Sequence, residues 1–236
     1  EMAISNRDAA AAILDGYRRG LADPRPILLD EQETWMRPLV ACSDEDRTAF
    51  WVDIDASPAA RPPEEVAGHL AAALPPGAKL IRHASRSKGS GGLGRPRFIA
   101  IASWRGGRVV REAKALVPSA WDWAHGTQSP ATRLEMLAYG AFRSPDPHFA
   151  IRGTFILRRI AADSRKVELG EKPELRIKTG LLGAMGFDIG AIHASDPRHA
   201  AAIRNDLRQR GPPDWLHRAA KAAAADVEED FGAWRG

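Results

Sequence analysis

Residues 97–116 read RFIAIASWRGGRVVREAKAL, and this stretch decides the fold class. Apolar residues alternate with polar or small residues on both sides of the sequence RGG, which is the pattern of half-buried β-strands. Glycine reaches the positive φ angles that a tight hairpin turn needs. The stretch therefore predicts two antiparallel strands joined by a turn at residues 105–107.

Further strands and helices are predicted around this hairpin. The segment KLIRHASRS, from residue 79, predicts a preceding strand, and HFAIRGTFILRRIA predicts one or two later strands broken near Gly153. Recurrence of apolar residues at three and four positions, together with capping residues and prolines, predicts helices elsewhere. These predicted helices cover residues 3–22, 44–52, 63–74, 129–142, 174–193, 197–209 and 213–234.

The order of helices, then strands, then helices favours an α+β fold over a parallel α/β sheet. Three parts are predicted: a mainly helical part over residues 1–75, an antiparallel sheet lobe over 76–170, and a helical part over 171–236. Within the first part, the proline- and alanine-rich residues 55–65 are expected to form a linker. Asn6 or Asp8 is expected to cap the first helix, and the last helix is expected to pack on the protein.

Composition places the chain among globular proteins. It has 236 residues, 44% of them apolar, and a net charge of +4, which suits one large domain or two small ones. The charges are mixed, so a nucleic-acid-binding tail is not expected; a basic pocket for an anionic ligand fits the mildly basic charge equally well. The single cysteine, Cys42, excludes an internal disulfide. The sequence shows neither a long apolar run nor a signal peptide, so we expect a cytoplasmic protein without a membrane partner.

The glycine-rich sequence GSGGLG at residues 89–94 fits the spacing G-x-G-x-x-G. A dinucleotide-binding fold needs a helix directly after these glycines, but a strand is predicted here, so that fold is excluded. A Walker A loop is excluded because no Gly-Lys-Ser/Thr follows. In protein kinases, however, a glycine-rich hairpin covers the ATP phosphates and a lysine on the third strand pairs with them.

Lys114 lies on the strand where that lysine belongs. Because glycine lacks a Cβ, a backbone rich in glycine can approach phosphate oxygens closely and direct N–H groups at them. The alternative is a mobile surface hairpin in which Lys114 is a solvated charge on an edge strand. The kinase-like interpretation predicts these nucleotide-binding residues: Gly89, Ser90, Gly91, Gly92, Gly94 and Lys114.

The segment RHASRSKGSGGLGRPRFIAI, followed by REAKAL, resembles the family known as domain of unknown function 2252. Further segments agree in the same order, from about residue 3 to the end: RSPDPHFAIRG, LRRIAADSRKVEL, LLGAMGFDIGAIH and IRNDLRQRGPPDWLHRAAKAAAADVEEDF. The resemblance implies a kinase-like, phosphotransferase-like fold in permuted order, with ATP and Mg²⁺ as cofactors. It implies that Gly89, Gly91 and Gly94 form the phosphate loop and that Lys114 pairs with the phosphates.

Members of that family carry a His-Gly-Asp motif, followed by an asparagine, ahead of the region that resembles this chain. They carry an aspartate-rich segment later, and these elements supply the catalytic aspartate and the metal ligands. This sequence contains no His-Gly-Asp. We therefore expect the catalytic half to lie upstream in the same protein or in a partner. Two functions stay open: part of a phosphotransferase of unknown acceptor, or a non-catalytic binding or interaction module with a degenerate kinase-like lobe.

Several other residues are candidates for a role near the glycines. Glu135, on the next predicted helix, is the candidate carboxylate that holds Lys114 in place, as kinase-like catalysis requires, and Glu112 is its rival. The segment 121–125, which reads WDWAH, is expected to form a hydrophobic latch over the sheet. A weaker alternative function is RNA binding by basic residues around the loop: Arg82, Arg86, Lys88, Arg95 and Arg97.

Overall fold

The computed structural model describes residues 4–28, 35, 37, 41–86, 95–118, 120–126, 130–144, 146–163, 179–211 and 213–236. Contacts divide the chain into two compact units. The helical unit comprises Glu1–Thr34, Gly140–Ser144 and Glu168–Gly236, and the sheet unit comprises Trp35–Tyr139 and Pro145–Val167. This division differs from the three predicted parts, because the first helix packs on a helix from the end of the chain and the next two helices pack on the sheet.

The described strands form one antiparallel sheet, as the α+β prediction requires. They are β1 Lys79–Ser85, β2 Arg97–Trp104, β3 Gly107–Ala115, β4 Ala150–Arg152 and β5 Phe155–Ile160. Their spatial order is β1-β2-β3-β5-β4, so β3 is the central strand. Arg105 and Gly106, with φ values of 48° and 77°, form the β2–β3 turn, and two positive φ values are typical of a type I′ hairpin. The predicted hairpin is confirmed.

Four described helices belong to the sheet unit: α2 Asp44–Ala56, α3 Glu64–Ala73, α4 Ala120–His125 and α5 Pro130–Ala138. Ser43 caps the N-terminus of α2 in a capping box: its side chain accepts from the backbone N–H of Asp46, and the Asp46 side chain accepts from the backbone N–H of Ser43. Ile54 of α2 packs on one sheet face, against Ile99 and Val110. Leu70 of α3 packs on the other face, against Ala100, Ala113 and Leu157. The sheet is therefore covered on both faces.

Residues 58–60 run along the outer edge of β1, so the predicted linker at residues 55–65 is wrong. The backbone N–H of Ser85 donates to the Pro58 carbonyl at 2.9 Å, and the N–H of Ala60 donates to the His83 carbonyl at 3.3 Å. Prolines suit this position because they lack an N–H and discourage further pairing at a sheet edge.

The helical unit contains α1 Asn6–Ala22, α6 Thr179–His193, α7 Pro197–Gln209 and α8 Trp215–Arg235. Ser5, rather than Asn6 or Asp8, caps α1, because its side-chain oxygen accepts from the Asp8 N–H. The first turn of α8 packs on the core of its unit through Trp215 and Leu216, whereas residues 218–235, including the acidic face, are exposed, so the predicted packing of the last helix is confirmed for its first turn. Over the described ranges, no helix has both the length and the apolar character needed to cross a membrane.

Glycines bring α1 and α6 into backbone contact. A Cβ built on Gly16 or Gly20 of α1 would lie closer than 3.0 Å to backbone atoms of α6. The same holds in reverse for Gly186 and Gly190 of α6, whose added Cβ would meet the carbonyl oxygens of Ile13 and Tyr17. Only glycine allows two helix backbones to approach so closely. Elsewhere in a helix, glycine lowers stability relative to alanine.

Candidate anion-binding site

Lys114 lies on the central strand of the sheet and is half-buried. Arg97 of β2 is its direct cross-strand partner on one side, and Ile156 of β5 is its partner on the other. Directly opposed residues of an antiparallel pair share a face, so Lys114 and Arg97 project from the same side of the sheet. The alternative of a solvated lysine on an edge strand is therefore wrong.

Glu112 shares this face and is almost completely buried, with 1% of its surface exposed. Arg158, opposite it on β5, donates from Nε to the Glu112 Oε2 atom. Nη1 of Arg97 lies 3.9 Å from the other carboxylate oxygen, Oε1. A buried carboxylate needs such compensation, because an unpaired charge away from water is costly. Glu112 thus holds two arginines beside Lys114.

The described residues on either side of the glycine-rich segment lie beside Lys114, Glu112 and the two arginines. The backbone N–H of Arg86 donates to the Arg97 carbonyl at 3.0 Å, so the chain just before the segment is hydrogen-bonded to the strand just after it. The Arg86 guanidinium pairs with the Asp53 carboxylate of α2. The predicted phosphate-binding residues lie outside the described residues: Gly89, Ser90, Gly91, Gly92 and Gly94.

Among the described residues, cationic side chains outnumber acidic ones around Lys114. We name the group the cationic cluster; it contains Arg86, Arg95, Arg97, Lys114 and Arg158, with Glu112 and Asp53 as its acids. Five cations against two acids leave a formal surplus of +3. The buried Nε of Arg97 has no hydrogen-bond partner among the described residues. A buried donor without a partner, within surplus positive charge, suits an anion with several acceptor oxygens.

The pKa of Lys114 responds to the same surroundings. Burial lowers this pKa below its ordinary value, and the nearby Arg97, Arg158 and Arg95 lower it further, whereas Glu112 raises it. Desolvation and like charges both disfavour the ammonium form. An anion bound beside these cations would offset this electrostatic cost.

Replacing Lys114 with methionine is therefore expected to raise the free energy of unfolding near neutral pH. Because the pKa is lower in the folded than in the unfolded chain, the charged lysine costs folding free energy at pH values below its folded pKa. That cost disappears as the pH rises through the ordinary lysine range, so the wild type gains stability relative to the variant there. Urea titrations at about pH 7 and about pH 10 test this.

Lys79→Met is the matched control, because Lys79 is an exposed lysine on strand β1 of the same sheet. The same two titrations of Lys79→Met measure the effect of removing an exposed lysine from this sheet. Equal stability of the wild type and Lys114→Met at both pH values would contradict the electrostatic strain assigned to Lys114.

The structure does not bring Glu135 to Lys114. Glu135 is exposed on α5, and its side chain makes no hydrogen bond or ion pair with any described residue. Glu112, the rival candidate, is on the lysine's own strand face, but the arginines of β2 and β5 engage its carboxylate. The kinase-like ion pair of lysine and helix carboxylate therefore stays a prediction.

The cluster does not fit a magnesium ion. Mg²⁺ prefers several oxygen ligands in octahedral geometry, but Glu112 and Asp53 are both paired with arginines. Among the described ranges, no group of three or more histidine, cysteine or acidic side chains is placed to hold a metal. The donor set of the cationic cluster, guanidinium and ammonium N–H groups, matches phosphate oxygens instead.

The other candidates fall elsewhere. Trp123 is 83% exposed, so it does not form the expected latch over the sheet, whereas its neighbour Asp122 is buried. The Arg82 guanidinium donates to the carbonyls of Ile54, Asp55 and Ser57, fixing the end of α2. Arg86 is likewise paired, with Asp53, so two of the five residues proposed for an RNA surface have partners within the protein. Lys88, another of the five, lies outside the described residues.

The roles of Arg97 and Arg158 beside Lys114 were not predicted from the sequence. A local signal existed for the first: counting back along both strands from the turn at residues 105 and 106 places Arg97 opposite Lys114. No comparable signal existed for Arg158, because the pairing of β3 with β5 joins strands about 45 residues apart.

Comparisons of the chain with protein-family models, with curated proteins and with solved structures found no match.

Proposed function

We propose that this chain binds the phosphate groups of a nucleotide, ATP, at the cationic cluster, as part of a kinase-like phosphotransferase of unknown acceptor. The observation that carries the proposal is the placement of Lys114. It is half-buried on the central strand, within surplus positive charge, opposite Arg97 and near Arg95, which follows the glycine-rich sequence along the chain. A triphosphate supplies the negative charge and the acceptor oxygens that this cluster lacks.

Each group then has a role in binding. Main-chain N–H groups of the glycine-rich segment approach the phosphates, because no Cβ keeps them away. Lys114 contacts the α- and β-phosphates, and Arg97, whose Nε has no partner in the described structure, adds a second cationic donor. Glu112 positions the arginines without neutralising the cluster. Binding by fixed cationic groups costs little reorganisation when the ligand arrives.

Chemistry beyond binding requires residues that the sequence of this chain does not contain. The catalytic aspartate, and the acids that hold the Mg²⁺ bound to ATP, would come from an upstream or partner half with the His-Gly-Asp motif. In this proposal, the chain contributes the nucleotide-covering lobe of the enzyme.

Lys114→Met is expected to weaken ATP binding at least tenfold, or about 1.4 kcal/mol, because one cationic phosphate contact is removed. Isothermal titration calorimetry with ATP measures the change. Lys79→Met removes an exposed lysine from an edge strand of the same sheet and should leave the affinity unchanged. Equal ATP affinity in the wild type and Lys114→Met would remove Lys114 from the proposed site.

The second candidate function is a binding module without catalysis, favoured by the missing His-Gly-Asp motif. The two candidates differ in phosphate transfer. Transfer of labelled phosphate from ATP by the wild-type chain, above the level of Lys114→Met, would exclude the non-catalytic module. ATP binding without transfer, even after the upstream half is added, would favour it.

A further inference from the structure

Helix α8 presents an apolar stripe that its own unit leaves uncovered. The exposed fractions of Val227, Phe231 and Trp234 are 65%, 53% and 79%, and the rings of Phe231 and Trp234 stack with centroids 5.8 Å apart. Among the described residues, the first turn is the part of α8 that packs on the unit, through Trp215 and Leu216. Large contiguous apolar patches on a protein surface mark contact sites, and these exposed side chains lie along one stripe of the helix.

The stripe has the spacing of a helix-pairing seam. Its positions are separated by three and four residues, close to the 3.5-residue period of coiled coils: Ala220, Ala223, Val227, Phe231 and Trp234. The first positions are small and the last are large. An inverted copy of the same helix therefore complements the stripe, with Phe231 against the partner's Ala220 and Val227 against the partner's Ala223. A parallel copy would instead place large side chains against each other.

Charges along α8 favour the same direction. Lys221 and Glu228 are two turns apart and lie on the same side of the stripe. In an inverted pair of helices, residues on equivalent sides face each other, so each lysine meets the glutamate of the other copy. The acids concentrate in the second half of the helix: Asp226, Glu228, Glu229 and Asp230. A parallel pair would place all four acids beside the same acids of the other copy, whereas the inverted pair does so for Asp226 alone, at the centre of the seam.

We propose that α8 is a dimerisation element that pairs in antiparallel orientation with α8 of a second copy of this chain. The seam from Ala220 to Trp234 is about 21 Å long. Because so short a seam buries less surface than a standard stable interface, the dimer should be reversible and concentration-dependent. The proposal concerns the helical unit and does not depend on nucleotide binding.

Sedimentation velocity of the full chain over a range of concentrations tests the proposal. The wild type should shift from monomer to dimer, and the double variant Phe231→Ala, Trp234→Ala should weaken this association at least tenfold. Both side chains are exposed in the single copy, so circular dichroism should show an unchanged fold. Trp123→Ala, at an exposed tryptophan of α4, is the matched control and should dimerise like the wild type.

Charge reversal tests the antiparallel register. Lys221→Glu and Glu228→Lys should each weaken self-association, because each creates like-charge pairs across the seam. A mixture of the two variants should recover it, since both cross-pairs again join opposite charges. A wild type that stays monomeric at every concentration, or a dimer that neither set of substitutions weakens, would overturn the proposal.

Discussion

Gly186→Ala is expected to destabilise the helical unit by about 3 kcal/mol, at the upper end of the usual cost of overpacking. Its Cβ would collide with the carbonyl oxygen of Ile13, and also lie close to the backbone nitrogen of Tyr17, in the facing helix α1. Backbone atoms cannot rotate away as a side chain can, so the two helices must separate. Alanine's better helix propensity, about 1 kcal/mol, has the opposite sign and is smaller.

Urea unfolding followed by circular dichroism measures this change. Gly232→Ala is the matched control in the same unit, because a Cβ there meets no atom within 4 Å; this variant should be neutral or slightly more stable. A Gly186→Ala protein as stable as the wild type would show that α1 and α6 do not pack backbone to backbone.

Glu112→Ala is expected to destabilise the sheet unit by about 3 kcal/mol, as removal of one partner from a buried ion pair does. The substitution leaves Arg158 without its carboxylate and Arg97 without its nearest acid, on a face where cations already outnumber acids. Arg158 is partly exposed, so water relieves part of the cost and places the effect at the lower end of the range for buried pairs.

Thermal and urea unfolding of the variant measure the loss. Asp163→Ala removes an acid from a solvent-exposed ion pair with Arg47 in the same unit, and surface pairs of this kind contribute about 0–1 kcal/mol. A loss at Glu112 no larger than the loss at Asp163 would contradict the structural role of the buried carboxylate.

The β2–β3 hairpin was predictable because all of its determinants are local. Strand alternation, the turn residues Arg105 and Gly106, and the position of Lys114 relative to them lie within 20 consecutive residues. The strand of the candidate lysine followed from that stretch alone, whereas the fold class followed from the order of helices and strands along the whole sequence.

Features that depend on distant segments were not predictable in the same way. Gly186 is unfavourable for the helix in which it lies. It is needed because the backbone of α1, more than 160 residues away in the sequence, packs against it. The alanines of α8 correctly predicted a helix, but propensity does not determine burial. Likewise, the pairing of Glu112 with Arg158 depends on β5 lying next to β3 in the sheet, which the local sequence pattern does not reveal.

The contact between α1 and α6 also bears on how the protein emerges from the ribosome. α1 ends at Ala22 and α6 begins at Thr179, so at ordinary translation speeds α1 is exposed for roughly 10–30 seconds before its partner is made. The sheet unit is completed during that interval. The nascent chain therefore carries an unprotected glycine-faced helix while residues 23–178 are made, and this is the stage at which chaperone protection would matter most.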